Sequence, residues 1–420
     1  MDTDCRDTGF DLAPYRPHLR WLRGRRGAMA AQIRRWAAIN SGSGNRAGLA
    51  ALADALAEDF TALGDLERHP LPAAETVGAD GGLRSAPSGD LLVLARRPEA
   101  PRQVVLAIHY DTVYGPDHPF QAVRAPDPDT LNGPGVADAK GGIAVLLHAL
   151  LALERSPFAA GVGWRVLLNP DEETGSHASA AAMAAAAAGA DFAMLYEPAL
   201  ADGTMAGARK GSGNFTLVVR GRAAHAGRDF AAGRNALAAL AGAIVALDAL
   251  NGRRDGVTVN TARLEGGGPS NVVPDLALLR FNIRVPAPGD AAWAEAAVAG
   301  IVAALNARDG IRAELHGGFT RPPKTADGRL RHLQAWVGAL GGALGVPVGW
   351  RDTGGCCDGN NLAAAGVPNI DTLGVRGGRI HSAEEFVRLD SLEERAALSA
   401  LMLMAVGAGA FAWPAAEAER

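Results

Sequence analysis

Seven acidic and histidine side chains stand where short apolar runs give way to loops. They are His109 and Asp111 (in IHYDTV), Asp138 (GPGVADAKGG), Glu172 and Glu173 (NPDEETGS), Glu197 (LYEP) and His381 (RIHSAEE). Imidazole nitrogen and carboxylate oxygen are donors that a divalent transition metal takes. Two such ions about 3.5–4 Å apart need a shared carboxylate and terminal ligands on each side. Two histidines, two aspartates and three glutamates supply that inventory. Singly, each residue has an ordinary alternative. His109 with Asp111 also reads as a hydrogen-bonded histidine at a strand end, and Asp138 as the cap of a helix starting near Gly141. Glu172–Glu173 also reads as a solvated acidic turn, Glu197 as a loop acid and His381 as a surface histidine. His18, His69, His118, His148, His177, His316 and His332 read as structural or surface residues.

The elements that must hold these side chains follow from periodicity. After a loose lead-in over 1–20, apolar spacing predicts helices over Arg26–Trp36 and Arg46–Leu63, separated by the Ser/Gly loop Asn40–Asn45. Short apolar runs rich in Val and Ile predict buried strands at Asp90–Ala95, Gln103–Tyr110, Trp164–Asn169 and Phe192–Tyr196. Helices at Gly141–Glu154 and in the Ala-rich Ser179–Gly189 fall between them. Strands alternating with helices predict a mixed, mostly parallel sheet sandwiched by helices, an α/β arrangement. In such sheets ligands gather at the strand ends, where the seven residues lie.

The pattern changes near residue 208. Strands at Asn214–Gly221, Val257–Leu264, Leu276–Val285 and Ile311–Leu315, with helices at Asn235–Leu250 and Ala291–Asn306, give a β-α-β-β-α-β order. That is the ferredoxin-like split unit. The first pattern then resumes with a helix at Gly328–Leu344, a Gly/Asn-rich loop, a strand at Asn369–Leu373 and a closing helix at Ser391–Phe411. The expected organisation is therefore 1–207 and 321–420 as two parts of one domain, with 208–320 inserted.

Composition narrows the function classes. Hydrophobic residues make 48% and charged residues 20%, enough apolar material for a core. A net charge of −4 argues against a general nucleic-acid binder. No apolar run is long enough to span a membrane, and the start MDTDCRDTGF has no signal-like apolar segment. The three cysteines, Cys5, Cys356 and Cys357, are too few for a disulfide scaffold, so the expected compartment is the cytoplasm.

Six segments in order now carry a resemblance: HYDTV at 109–113, GPGVADAKGG at 133–142, DEETGS at 171–176, EP at 197–198, GRAAHAG at 221–227 and HS at 381–382. With the insertion between Glu197 and His381, the chain from about residue 30 resembles the di-zinc amidohydrolase and exopeptidase family. That family includes glutamate carboxypeptidase, acetylornithine deacetylase, succinyl-diaminopimelate desuccinylase and aminoacylase. The resemblance implies a zinc exopeptidase-like fold with two zinc ions, or cobalt or manganese in their place. His109, Asp138 and Glu197 would hold one ion, and His381, Asp138 and Glu173 the other, with Asp138 bridging. Asp111 would accept the free ring N–H of His109, and Glu172 would be the general base toward the bridging water. A cis peptide is implied at Asp138–Ala139. The insert would be a dimerisation and lid domain whose His225 reaches the partner's site and stabilises the oxyanion, making the enzyme a homodimer. Asn271, Arg284 and Arg321 would bind the substrate's carboxylate and carbonyl.

The segment Trp36–Leu63 is most similar to the glutamate carboxypeptidase branch. The expected activity is thus cleavage of a peptide or amide bond in a small substrate bearing an amino-acid carboxylate. The alternative is an N-acyl-amino-acid deacylase such as acetylornithine deacetylase. A metal-free binding homologue would have lost ligands, yet every proposed ligand and base position holds a competent side chain. One departure falls in the loop Thr353–Asn361 (TGGCCDGNN). There Asp358 is kept, Cys356 and Cys357 replace small residues, and Asn360 and Asn361 are candidates for substrate hydrogen bonds.

Overall fold

The structure, a computed structural model, describes residues 10–346 and 348–413. Cys5 lies outside the described residues. Gln103–His109 is central in a six-stranded sheet whose order is Glu67–Pro70, Asp90–Arg96, Gly163–Asn169, Gln103–His109, Phe192–Leu195 and Asn369–Ile370. The last three pairings are parallel and the first two antiparallel. Alternation with period two sorts the side chains onto two faces. Leu92, Leu94, Val104, Leu106, Ile108, Val166 and Met194 join the larger core with the helices Arg26–Ala37, Arg46–Phe60, Lys140–Glu154 and Ser391–Gly407. Leu91, Val105, Ala107, Leu167 and Leu195 face the shorter helices Ala180–Ala187 and Asp358–Ala364. Both faces are covered, which is why these strands read as unbroken apolar runs.

The second sheet has the order Thr258–Gly266, Leu276–Val285, Gly211–Arg220, Arg312–Arg321, antiparallel throughout. This is the ferredoxin-like arrangement expected from the β-α-β-β-α-β order. Helices Ala236–Asp248 and Pro288–Asn306 cover one face through Leu240, Leu247, Ala294 and Val298, packed on Phe215, Leu217, Leu279 and Ile283. The other face is gripped by a hairpin, Ala74–Val77 with Leu83–Ala86, that the sequence pattern did not announce. Val77 packs on Val218 and Leu278, and Arg280 donates to the Val77 carbonyl at 2.7 Å.

Several boundaries differ from the periodicity. Within the lead-in expected over 1–20, Arg16–Leu19 is helical, because Tyr15 and Leu19 are drawn into the core. The last strand of the large sheet stops at Ile370 rather than Leu373, and Thr372 takes a left-handed φ of 62°. Within the expected loop 353–361, Asp358–Ala364 is a helix with Cys357 at its N-cap. The closing helix ends at Gly407, short of Phe411. No helix among the described residues is long and apolar enough to cross a membrane.

Candidate active site

His109 is the last residue of its strand and pairs with Asn169, the last residue of the neighbouring strand. The loops that follow these two strands therefore start side by side. A third loop is brought in by a small antiparallel sheet. Phe386–Arg388 pairs with Thr130–Asn132, just before Gly133–Asp138, and Gly377–Gly378 pairs with Phe386–Arg388. His381 sits in the connection between Gly377–Gly378 and Phe386–Arg388, with a left-handed φ of 62° that few non-glycine residues adopt. The glycine pair at the start of Lys140–Glu154 permits the remaining approach. A Cβ at Gly142 would fall 2.1 Å from the Tyr196 carbonyl oxygen, so only glycine lets this helix end meet the strand end that carries Glu197. The Asp138–Ala139 peptide is cis.

The result is a shared carboxylate with an imidazole on each oxygen. His109 Nε2 lies 3.0 Å from Asp138 Oδ1 and 3.9 Å from Glu197 Oε1. His381 Nε2 lies 3.3 Å from Asp138 Oδ2 and 3.2 Å from Glu173 Oε2. Four donors set tetrahedrally around zinc at about 2.0–2.1 Å would be roughly 3.3 Å from one another, so these spacings fit such an ion. His109, Asp138 and Glu173 also form a compact group of donors, all within 4.8 Å. Electrostatics agrees. Burial and the neighbouring Asp138 push the Glu173 carboxyl up to about 8, and burial raises Glu197 well above the usual range. Hydrogen bonds to Asp138 and Glu173 raise His381 to about 10. Burial opposes ionisation of Asp138, but His109 and His381 outweigh it and hold that carboxyl low. A cation among acids this close and this buried would favour their ionised forms.

Asp111 is fully buried and organises two of the loops at once. His109 Nδ1 lies 3.3 Å from Asp111 Oδ1 and 3.1 Å from the Asp111 carbonyl oxygen. Both are acceptors, so Nδ1 carries a proton and Nε2 faces Asp138. The same carboxylate accepts the backbone N–H groups of Glu172 and Glu173 at 3.1 and 3.2 Å. It also accepts the Ser43 hydroxyl at 2.6 Å. Ser43 belongs to the Ser/Gly loop of the sequence, where nothing local marks it for this contact.

Glu172 lines a cleft of about 600 Å³ with Asp138, Glu173, Glu197 and His381. Arg284, Arg351 and Cys356 line it too. Arg284 is held by Asn282, which accepts from Nε at 2.9 Å, and donates from Nη1 to the Cys356 sulfur at 3.0 Å. Cys357 is buried at the N-cap of its helix, so the two adjacent thiols occupy different surroundings.

The structure places the other expected substrate ligands elsewhere. Arg321 is only 3% exposed and does not line the cleft. It sits behind Glu172, 2.8 Å from Oε1, and donates to the Glu172 carbonyl at 2.7 Å and to Ser176 Oγ at 3.0 Å. Its guanidinium is thus occupied by the residue expected to be the base. Asn360 corrects the reading of it as a substrate donor, because its amide binds the Lys210 and Pro322 carbonyl oxygens at 3.0 and 2.7 Å. Asn271 is exposed, and its carbonyl accepts from Ala226. His225, bridged to Val272 beside it, also lies outside the cleft of its own chain.

Comparisons with known proteins point to one family. Residues 105–405 match the family model of peptidase family M20/M25/M40. The chain is 28% identical over 379 residues to carboxypeptidase G2 of a Pseudomonas species, covering 88% of this chain and 87% of that one. It is 28% identical over 324 residues to a succinyl-diaminopimelate desuccinylase of Nitrosospira multiformis, covering 73% and 83%. Its fold is similar to that of an M20 family metallo-carboxypeptidase from Sulfolobus solfataricus, with a TM-score of 0.67 at 15% identity over 90% of this chain and 99% of the other.

Proposed function

The chain belongs to peptidase family M20/M25/M40, and from that premise we propose that it is a di-zinc carboxypeptidase acting on small substrates with a free amino-acid carboxylate. The observation that carries this reading is the pair of donor sets meeting on Asp138, with Glu172 in the same cleft and Arg284 on its lining. His109, Asp138 and Glu197 would hold one ion and His381, Asp138 and Glu173 the other. Bound there, the ions would acidify a water and polarise the scissile carbonyl. Glu172 accepts the proton of the attacking water and returns it to the departing nitrogen. The carbonyl carbon gains the hydroxyl, its bond to nitrogen breaks, and the amine leaves carrying the proton. Arg284 would present its terminal N–H groups to the substrate carboxylate.

The reading places His225 in the partner's site. Its Nδ1 accepts the Gly227 and Arg228 N–H groups, both at 3.1 Å, so the proton resides on Nε2, and that N–H is a donor suited to a developing oxyanion. Among the described residues the outer strand Thr258–Gly266 pairs on one side only, an edge that a second copy would cover. Complementation checks this. His225→Ala and Glu172→Ala proteins should each be inactive. Unfolded and refolded together in equal amounts, they should recover about a quarter of wild-type activity, because half the dimers carry one intact site. Recovery no greater than the sum of the separate proteins would remove His225 from the partner's site.

The similarity to a desuccinylase keeps one competing substrate class, N-acyl amino acids. Zinc-loaded protein is expected to release C-terminal amino acids from acyl-glutamates and dipeptides, and a chelator should abolish this. Turnover of acetylornithine or succinylated amino acids alone would transfer the protein to the deacylases. Full activity after exhaustive chelation, with no metal left in the protein, would end the metal reading.

A further inference from the structure

Four residues beyond His381, Glu385 is completely buried, yet it neither lines the cleft nor takes part in the chemistry above. Its carboxylate accepts three backbone hydrogen bonds and faces a tyrosine hydroxyl. Oε1 takes the N–H groups of Ala137 and Asp138 at 2.9 and 3.1 Å. Oε2 takes the N–H of Gly135 at 3.1 Å and lies 3.0 Å from the Tyr114 hydroxyl. That hydroxyl's single proton is shared between Oε2 and the Ser382 carbonyl oxygen, 2.9 Å away. The backbone of Glu385 is itself fixed, because Asn132 Nδ2 donates to its carbonyl at 2.8 Å.

These contacts span three segments. Tyr114 follows His109 and Asp111 on one loop, Gly135–Asp138 is the turn that presents the shared carboxylate, and Glu385 closes the loop of His381. We propose that Glu385 is a positioning residue that sets the spacing of the His109, Asp138 and His381 loops, and with it the affinity of the site for its ions. The inference rests on the metal reading of those three residues. It is specific to a carboxylate, because each of its two oxygens accepts a backbone N–H. A glutamine keeps one oxygen and turns its NH2 toward the other side, leaving at least one buried backbone N–H without an acceptor.

The test is zinc binding to metal-free protein, measured as stoichiometry and dissociation constant on folded material, with unfolding temperature recorded alongside. Glu385→Gln should weaken zinc binding about 10–100-fold, the range seen when the outer partners of metal ligands are removed. At saturating zinc kcat should fall while KM holds. Tyr114→Phe removes only the shared hydroxyl and should move the same quantities less, in the same direction. A merely structural role would lower the unfolding temperature and leave the dissociation constant unchanged, and that result in Glu385→Gln overturns the inference. If Glu385→Gln does not fold, unchanged zinc affinity and kcat in Tyr114→Phe overturn it instead. Wild-type protein that takes up no zinc would strike the metal reading itself, a separate outcome.

Discussion

Glu172→Gln is expected to lower kcat about 10²–10⁴-fold with little change in KM, because in the proposed mechanism the residue moves a proton in the transition state and holds nothing in the ground state. Its surroundings suit the proposed base. Burial pushes its carboxyl up from the ordinary range, and Arg321, 2.8 Å from Oε1, pulls it back. The base works ionised, so the acid limb of the pH–rate profile follows this balance. Removing the cation in Arg321→Gln should move that limb to higher pH. A limb that moved down, or stayed, would show that Arg321 does not set the base. Glu172→Gln also takes from the buried Arg321 guanidinium its nearer carboxylate and leaves it only Asp358 Oδ1 at 3.6 Å, which costs stability on its own account. The double variant Glu172→Gln/Arg321→Gln separates the two effects. It should regain unfolding temperature and remain as slow as Glu172→Gln. Undiminished turnover in Glu172→Gln would mean that another group takes the water's proton.

What the sequence revealed and what it hid divide along one physical line. His109, Asp111, Glu172, Glu173 and Glu197 were legible as candidates because they follow short apolar runs whose ends the parallel sheet brings together, whereas Asp138 and His381 stood out by their motifs and are brought in by a small antiparallel sheet. The ferredoxin-like order was legible because its strands alternate and its helices carry wide apolar faces. Ser43, Glu385 and the buried cluster around Asp371 were not. Their partners are backbone groups or side chains far away in sequence, and a carboxylate bound to three backbone N–H groups leaves no pattern of residue types. Arg321 was readable as an arginine that meets a carboxylate, but the carboxylate it meets is Glu172 of its own chain. Its chemistry was right for a ligand. Only its position at the end of Arg312–Arg321, beside Ser212 in register and under the Glu172–Ser176 turn, shows which acid it serves. The hairpin Ala74–Ala86 escaped for a related reason, since most of its residues are exposed and it is held by Val77 and a few backbone bonds.

Asp371→Asn is expected to be the most destabilising single change in the molecule's polar interior, by about 3–5 kcal/mol, because it strands two buried cations. Asp371 is fully buried. It receives Arg209 through Nε and Nη2, both at 2.9 Å, and Lys324 Nζ at 2.8 Å. Arg209 precedes the strand Gly211–Arg220, and Lys324 follows Arg312–Arg321, so they mark the two places where the chain passes between its sheets. There the strands hold each other, Arg209 N to Lys324 O at 2.9 Å and Lys324 N to Arg209 O at 3.0 Å. Charge counting orders the variants. Lys324→Met leaves Arg209 bonded to Asp371 through both nitrogens and should cost least. Arg209→Met leaves a one-to-one pair with poorer geometry. Asp371→Asn leaves two positive charges and no acid, and should cost most. The pH dependence has a definite sign. Burial raises the Asp371 carboxyl, but Arg209 and Lys324 outweigh it and bring it down to about 2, below the unfolded value near 3.9. A depressed folded value adds stability that is present above the unfolded value and lost as pH falls through the folded one. The gap between wild type and Asp371→Asn should therefore be widest above about pH 4 and narrow toward pH 2. Denaturant unfolding of both proteins across that window measures it. A gap that did not change with pH would show that Asp371 contributes by packing rather than by its charge.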